Sequence, residues 1–232
     1  MVNAAFPTMT SPKQLRLHLK RAPSYARKEF IASASNASAV AALDAWPAWH
    51  GGRLALVGPE GSGKTHLAEE WAARVGAVSL GPGDFDVSSL RGRAVLVEDV
   101  DRRAADEALF HLINLADAGA SLLLTARTPP RSWPTDLPDL RSRFNALLVA
   151  RIEAPDDVVL EGVLRKLFRE RNIRPADDVL AYLIHRIERS IPTAKDVVSR
   201  IDELADAEKR DITRALARRI LEREDQTLDL FE

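Results

Sequence analysis

The residues whose spacing carries the most chemistry are Gly58-Pro59-Glu60-Gly61-Ser62-Gly63-Lys64-Thr65, followed by His66. A polyphosphate needs many hydrogen-bond donors at short range and little steric bulk. Gly58, Gly61, Ser62 and Gly63 let successive backbone N–H groups wrap its oxygens, while the start of a helix aims partial positive charge at them. Lys64 supplies a point charge for the β and γ phosphates, and the Thr65 hydroxyl a ligand for Mg²⁺. A glycine-rich turn that binds nothing is the bland alternative. The context favours chemistry: the apolar run Leu54-Ala55-Leu56-Val57 precedes the loop, and Leu67, Ala68, Trp71, Ala72 and Val75 mark one face of a helix behind it. A second constellation is Glu98-Asp99, which ends the apolar run Ala94-Val95-Leu96-Val97. Carboxylates at that place suit a Mg²⁺ ligand and a water-orienting acid, against the common alternative of a strand ending in solvated acids. Thr125 closes a further apolar run from Ser121, where a polar side chain can sense a terminal phosphate.

These groups must be positioned by alternating strands and helices. Strands are expected at 54–57, 77–80, 94–97, 121–125 and 146–150, with helices over 37–43, 64–75 and 104–118. Such alternation implies an α/β core: a five-stranded parallel sheet with helices on both faces. Pro129, Pro130, Pro134 and Pro138 predict a compact loop, then a short helical turn bearing Arg141 and Arg143. From Pro155 the pattern is helical only, with four amphipathic helices forming a C-terminal lid whose arginines are a solvated face balanced by Asp and Glu. Four segments follow: a mobile start over 1–23, the nucleotide-binding core over 24–153, the lid over 154–223, and a tail over 224–232. In the first, Gln14-Leu15-Arg16-Leu17-His18-Leu19 alternates like a short edge strand; it also suits a linear peptide docking in another protein's apolar groove. The tail is expected to leave the helical pattern from Glu222 and to end apolar at Leu228, Leu230 and Phe231, after Gln226.

Composition narrows the function. Across 232 residues, 33 basic side chains face 34 acidic ones, and the isoelectric point is about 6.5. No excess of positive charge recommends nucleic acid through bulk electrostatics, so any DNA association is local or indirect. The chain has no cysteine, which excludes disulfides and thiolate metal sites. No apolar stretch approaches membrane-spanning length, and the reading is a cytoplasmic protein with no membrane partner.

The run Gly61-Ser62-Gly63-Lys64-Thr65-His66-Leu67, with Thr125-Ala126-Arg127-Thr128-Pro129-Pro130 and Pro138-Asp139-Leu140-Arg141-Ser142-Arg143-Phe144, resembles the ATPase domain of the DnaA family. With the Gln-Leu-x-Leu-x-Leu peptide, the resemblance is closest to its Hda-like regulators and covers about residues 14–221. It implies an AAA+ P-loop NTPase core with a four-helix lid, and ADP or ATP with Mg²⁺ as cofactors. It further implies a sliding clamp and DnaA as partners, and contact with DNA through the clamp. The implied role is to switch off replication initiation by stimulating hydrolysis of DnaA-bound ATP; a homodimer is compatible with it. Carried over by motif, Gly61, Gly63, Lys64 and Thr65 bind phosphate and Mg²⁺, Phe30, Ile31 and Asn36 line the adenine pocket, and Arg143 is an arginine finger acting in trans. A surface ion pair is the alternative reading of Arg143. Gln14, Leu15, Leu17 and Leu19 are the family-placed clamp contact, and Gln226, Leu228, Leu230 and Phe231 resemble a second one.

Two internal features favour a regulator over an initiator: no helix-turn-helix segment follows the lid, and only about a dozen residues separate the second and third strands. Three departures imply weak intrinsic hydrolysis. Glu98-Asp99 stands where Asp-Asp or Asp-Glu is usual, Arg127 replaces an acid, and Pro192 replaces the lid arginine, leaving Arg189 or Lys195 as substitutes. The expectation is an ADP-bound activator. A helicase loader of the DnaC/IstB type, or a stand-alone P-loop NTPase or kinase, are the competing readings.

Overall fold

The computed structural model describes residues 24–81, 87–103 and 106–228, with side chains described as far as Glu222. In chain order the elements are α1 (Ala37–Asp44), β1 (Arg53–Val57), α2 (Lys64–Val75), β2 (Val78–Leu80), β3 (Ala94–Val97), α3 (Val100–Arg103), α4 (Asp106–Asp117), β4 (Ser121–Ala126), α5 (Pro138–Asn145) and β5 (Leu148–Arg151). The lid helices follow: α6 (Asp157–Glu170), α7 (Asp177–Ile184), α8 (Ile191–Glu208) and α9 (Arg214–Leu228).

The strands are short apolar runs because both faces of the sheet are covered, which removes any need for polar alternation. They form one parallel sheet in the order β2-β3-β4-β1-β5. β4 is the central strand, and β1 lies between β4 and β5: its Arg53 to Val57 pair with Leu122 to Ala126 on one side, while Leu54 to Val57 pair with Leu148 to Arg151 on the other. After β1 the chain crosses over β4 and β3 to reach β2, so the crevice at the carboxyl end of β1 is the topological switch point where ligands of such sheets bind.

Two apolar layers sandwich the sheet. On one face Leu109, Leu112, Ile113, Trp133, Leu140 and Phe144 cover Val95, Leu122 and Leu124. On the other, α1 and α2 place Leu43, Leu67 and Trp71 over Leu54, Leu56 and Leu123. Trp71 is fully buried and stacks on Trp49 at 5.2 Å between ring centroids, with Trp46 edge-on at 6.5 Å. The lid has its own core of Leu160, Leu164, Phe168, Leu180, Leu183, Val197, Val198, Ile201 and Ala217. Asp156 starts the lid by capping α6: its Oδ1 accepts from Val159 N at 2.9 Å.

Two sequence expectations change, while the helix expected over 104–118 is present as α4 from Asp106 on. Asp106 ties the start of α4 to the following loop, accepting from Thr135 Oγ1 at 2.7 Å and Asp136 N at 3.2 Å. The fifth strand begins at Leu148 rather than Ala146, because Ala146 N donates to Arg143 O and closes α5. The tail does not leave the helix at Glu222; α9 runs on to Leu228, extended through helix-forming residues. Gln226 and Leu228 thus lie on the last turn of α9. Gln14, Leu15, Leu17, Leu19, Leu230 and Phe231 fall outside the described residues.

Candidate nucleotide-binding site

The phosphate loop joins β1 to α2 with two left-handed residues, Gly61 at φ 70° and Gly63 at φ 102°. Gly58 is required by packing instead: a Cβ there would collide with Ile152 O. Ser62 is buried and donates to Pro59 O at 2.9 Å, closing the loop on itself. Lys64 is 8% exposed and donates to Gly58 O and Pro59 O, both at 2.8 Å. Burial pushes its pKa down while Asp99 pushes it up, and the net shift is downward. The side chain therefore already lies along the inner wall of the loop, with a cation directed at the place a phosphate enters.

Thr65 and Glu98 are hydrogen-bonded across the crevice, yet burial still raises the Glu98 pKa above the usual carboxylate range. Its Oε1 is buried with no protein partner. A hydroxyl beside an unpartnered carboxylate oxygen is a hard-oxygen donor set that fits Mg²⁺. Among the described residues no cluster of three His, Asp or Glu forms a dedicated metal cage. Asp99 has φ 53°, a left-handed conformation uncommon for a side-chain-bearing residue. Thr125, 1% exposed, holds it there by accepting from Asp99 N at 3.1 Å.

Asp101 belongs to the same corner, although sequence reasoning gave it no role. Its Oδ2 accepts from Arg127 N at 3.0 Å, and from Thr128 N and Thr128 Oγ1 at 3.1 Å. This clamps the turn after β4 and presents Arg127 toward the loop, where its Nη1 lies 2.5 Å from Glu60 Oε2. The third acid in the Glu98–Asp101 run was the one available signal.

The residues expected around adenine divide. A methyl on Gly63 would touch Phe30 at 3.6 Å, and one on Gly162 of α6 would meet Ile31 at 2.6 Å, so Phe30 and Ile31 lie between loop and lid. His66 joins them, its ring 5.4 Å from that of Phe30 and 5.6 Å from that of Tyr25. Burial lowers its pKa. Asn36 is 2% exposed and turned inward, accepting from Ser33 N at 3.0 Å and donating to Ile31 O at 2.9 Å. It shapes the segment that presents Ile31.

The lid reaches the loop directly. Ile191 N donates to Gly61 O at 3.1 Å, and a Cβ on Gly61 would lie 2.5 Å from Ser190 Oγ and 2.7 Å from Pro192 Cδ. Lys166 and Glu29 add an ion pair of 2.6 Å between lid and core. Arg189 precedes Ser190; its guanidinium pairs with Asp157 at 2.7 Å and donates to Pro155 O at 3.2 Å. Lys195 is exposed.

Arg143 is far from this crevice. It pairs with Asp117 at 2.8 Å, and its guanidinium lies 5.1 Å from the Phe110 ring centroid. Asp117 also pairs at 2.7 Å with Arg53, which opens β1, whereas the phosphate loop follows Val57 at the other end of that strand. The ion pair foreseen as the alternative is present, and it lies toward the amino end of β1, whereas the loop leaves its carboxyl end. A groove of about 560 Å³ lined by Ser38, Pro129, Phe144 and Arg151 opens beside β5. It brings together none of the phosphate- or metal-binding groups.

No family model matches the chain. Its sequence is similar to chromosomal replication initiator DnaA: 27% identical over 253 aligned residues to that of Clavibacter sepedonicus, covering 94% of this chain and 52% of the other. To the DnaA of Thermomicrobium roseum it is 33% identical over 129 residues, 53% of this chain and 28% of the other. The chain spans about half the length of the first of these relatives. Among solved structures, domain III of Thermotoga maritima DnaA superposes with a TM-score of 0.70 at 20% identity, over 84% of this chain and 95% of that one. AMPPCP-bound DnaA from Aquifex aeolicus gives 0.67 at 17%, over 89% and 71%. A point variant of Thermotoga maritima RuvB gives 0.65 at 19%, over 86% and 72%. The fold is thus the one shared by DnaA domain III and RuvB, a five-stranded parallel sheet with a helical C-terminal part, and the sequence is similar to that of DnaA. Among the described residues no helix is long and apolar enough to cross a membrane.

Proposed function

We propose that this chain is a nucleotide-holding regulator of replication initiation that stimulates hydrolysis of ATP bound to a DnaA-type initiator. The observation that carries the reading is the placement of Arg143 on Asp117, toward the end of β1 opposite the chain's own phosphate loop. An arginine there has no access to its own nucleotide, but is exposed enough, at 31%, to reach the nucleotide of a neighbouring molecule. An arginine donated in trans neutralises the charge that develops on the transferring phosphoryl group and is worth about 10³ to 10⁵ in rate.

The chain's own crevice supports holding more than turnover. Gly58, Gly61, Ser62, Gly63, Lys64 and Thr65 would cradle ADP or ATP, with Phe30, Ile31 and His66 beside the base. Thr65 and Glu98, with Asp99 adjacent, would hold Mg²⁺, and such an ion would screen phosphate charge. Thr125 positions Asp99, Arg127 stands where an acid would orient water, and Arg189 is tied to Asp157 within the lid. The AMPPCP-bound DnaA from Aquifex aeolicus supports an adenine nucleotide as the ligand. Clamp contact is assigned to Gln14, Leu15, Leu17 and Leu19, with a second one at Gln226, Leu228, Leu230 and Phe231, and DNA is reached through the clamp.

The test is single-turnover hydrolysis of ATP pre-bound to DnaA, with sliding clamp loaded on DNA and this chain added. Stimulation is expected with the wild type, and a loss of at least about 10³-fold of the stimulated rate with Arg143→Ala. Equal stimulation by both proteins would refute the role of Arg143. Absence of stimulation by either would refute the function.

A further inference from the structure

Arg127 is a cation beside the phosphate loop that the nucleotide-holding reading does not use. Its position is built rather than incidental. Asp101 Oδ2 fixes Arg127 N at 3.0 Å, and Ala126 O accepts from Gly58 N at 3.2 Å, so Arg127 leaves β4 alongside the first residue of the loop. Its guanidinium pairs with Glu60, which is itself a loop residue. Lys64 is buried within the loop, but Arg127 and Glu60 lie at its rim, 36% and 65% exposed.

A guanidinium binds carboxylate and phosphate through the same planar fork of donors, so the Glu60 carboxylate is a chemical stand-in for a phosphate. At that exposure the pair is weak, and a more highly charged anion displaces it readily. The rim also lies on the side of the acids that follow β3: Thr125, two residues before Arg127, accepts from Asp99 N at 3.1 Å, and Asp101 holds Arg127 N. Lys64 is bonded to the inner carbonyls of the loop, and Arg127 adds a second cation at the rim, where a longer polyphosphate would meet it.

We propose that Arg127 is a cis ligand for the terminal phosphate of a bound nucleoside triphosphate, parked on Glu60 and exchanged from it, and that this residue sets the preference of the site for triphosphate over diphosphate. The proposal rests on the nucleotide-holding reading above. It replaces the view that Arg127 only weakens hydrolysis by displacing an acid: the arginine gives the chain a means of registering the third phosphate without cleaving it.

Calorimetric titration of the full chain with Mg·ADP and with Mg·AMPPCP, at matched salt, tests it. Arg127→Ala is expected to weaken AMPPCP binding roughly 10- to 100-fold, the scale of losing charge-assisted hydrogen bonds, and ADP binding less than about threefold. Arg127→Lys, which keeps the charge and loses the fork, should fall between wild type and Arg127→Ala for AMPPCP. Glu60→Gln removes the competing carboxylate and should tighten AMPPCP up to about fivefold. Thermal unfolding without nucleotide checks that each variant is folded. Equal weakening of both nucleotides by Arg127→Ala, or no weakening of either, overturns the proposal and leaves the nucleotide-holding reading standing. Unchanged or weaker AMPPCP binding by Glu60→Gln overturns the exchange. Wild-type chain that binds neither nucleotide overturns both.

Discussion

At the scale of single residues the crevice is organised by groups that serve each other. Lys64 is bonded to two carbonyls of its own loop. Replacing it removes both that brace and the cation for phosphate. Lys64→Ala should therefore abolish the nucleotide-dependent rise in thermal stability, which for the wild type amounts to about 2.7 kcal/mol at a ligand concentration roughly a hundred times Kd. Differential scanning fluorimetry with and without Mg·ADP measures this, and an undiminished rise in the variant would refute the role. Lys64 was legible in the sequence because loop chemistry is local: glycines, lysine and hydroxyl all fall within the short run from Gly58 to Thr65. Asp101 and Asp117 were not. Each acts on an arginine 26 positions away, Arg127 and Arg143 respectively, and sequence periodicity carries no signal for such a pairing. Arg189 shows the same limit, since its pairing with Asp157, far from it along the lid, is equally invisible to periodicity.

At the scale of elements, the junction of core and lid depends on one carboxylate. Asp156 caps α6 through Val159 N and also accepts from Ser35 N at 3.4 Å, in the core segment that leads into α1. Burial tends to raise its pKa, but hydrogen bonds from Val159, Ser33 and Ser35 outweigh it, and the net shift is downward. A depressed carboxylate contributes stability that is complete above its unfolded pKa and is lost as pH falls through the folded one. Asp156→Ala should cost about 0.5 to 2 kcal/mol at neutral pH. The difference from wild type should shrink as pH drops below the ordinary aspartate range. Urea melts of both proteins between neutral and acid pH measure this; a difference independent of pH would contradict it. The elements themselves were largely legible, since buried strands read as short apolar runs and lid helices as amphipathic ones. The misreadings lie at ends: β5 starts late because α5 is closed by Ala146, and α9 continues past Glu222 through helix-forming residues.

At the scale of the whole molecule, the described residues form three apolar clusters, two on the sheet and one in the lid. The lid's apolar cluster is distinct from the two on the sheet, and core and lid meet at Ile31 against Gly162, at the ion pair of Lys166 with Glu29 and through the loop. The proposed clamp contacts lie toward the two ends of the chain, Gln14 before the core and Gln226 on the last turn of α9. Two weak peptides on one molecule gain through effective concentration when a ring offers repeated pockets, by as much as about 10² to 10⁴. Clamp pull-down is expected to weaken with Gln14→Ala, to weaken less with Gln226→Ala, and to be lost with both; retention of full binding in the double variant would rule out both contacts.

The hydrogen bond from Ile191 N to Gly61 O has a further use. One amide proton lies where the backbone of α8 is bonded to the loop that would cradle phosphate, and Pro192 beside it has no amide of its own. Hydrogen exchange at that single position would read any separation of α8 from the loop directly, without label or partner. Under the proposed nucleotide-holding role, a nucleotide that tightens this contact would slow the exchange and one that loosens it would speed it, so a single amide would serve as a gauge of what the loop holds.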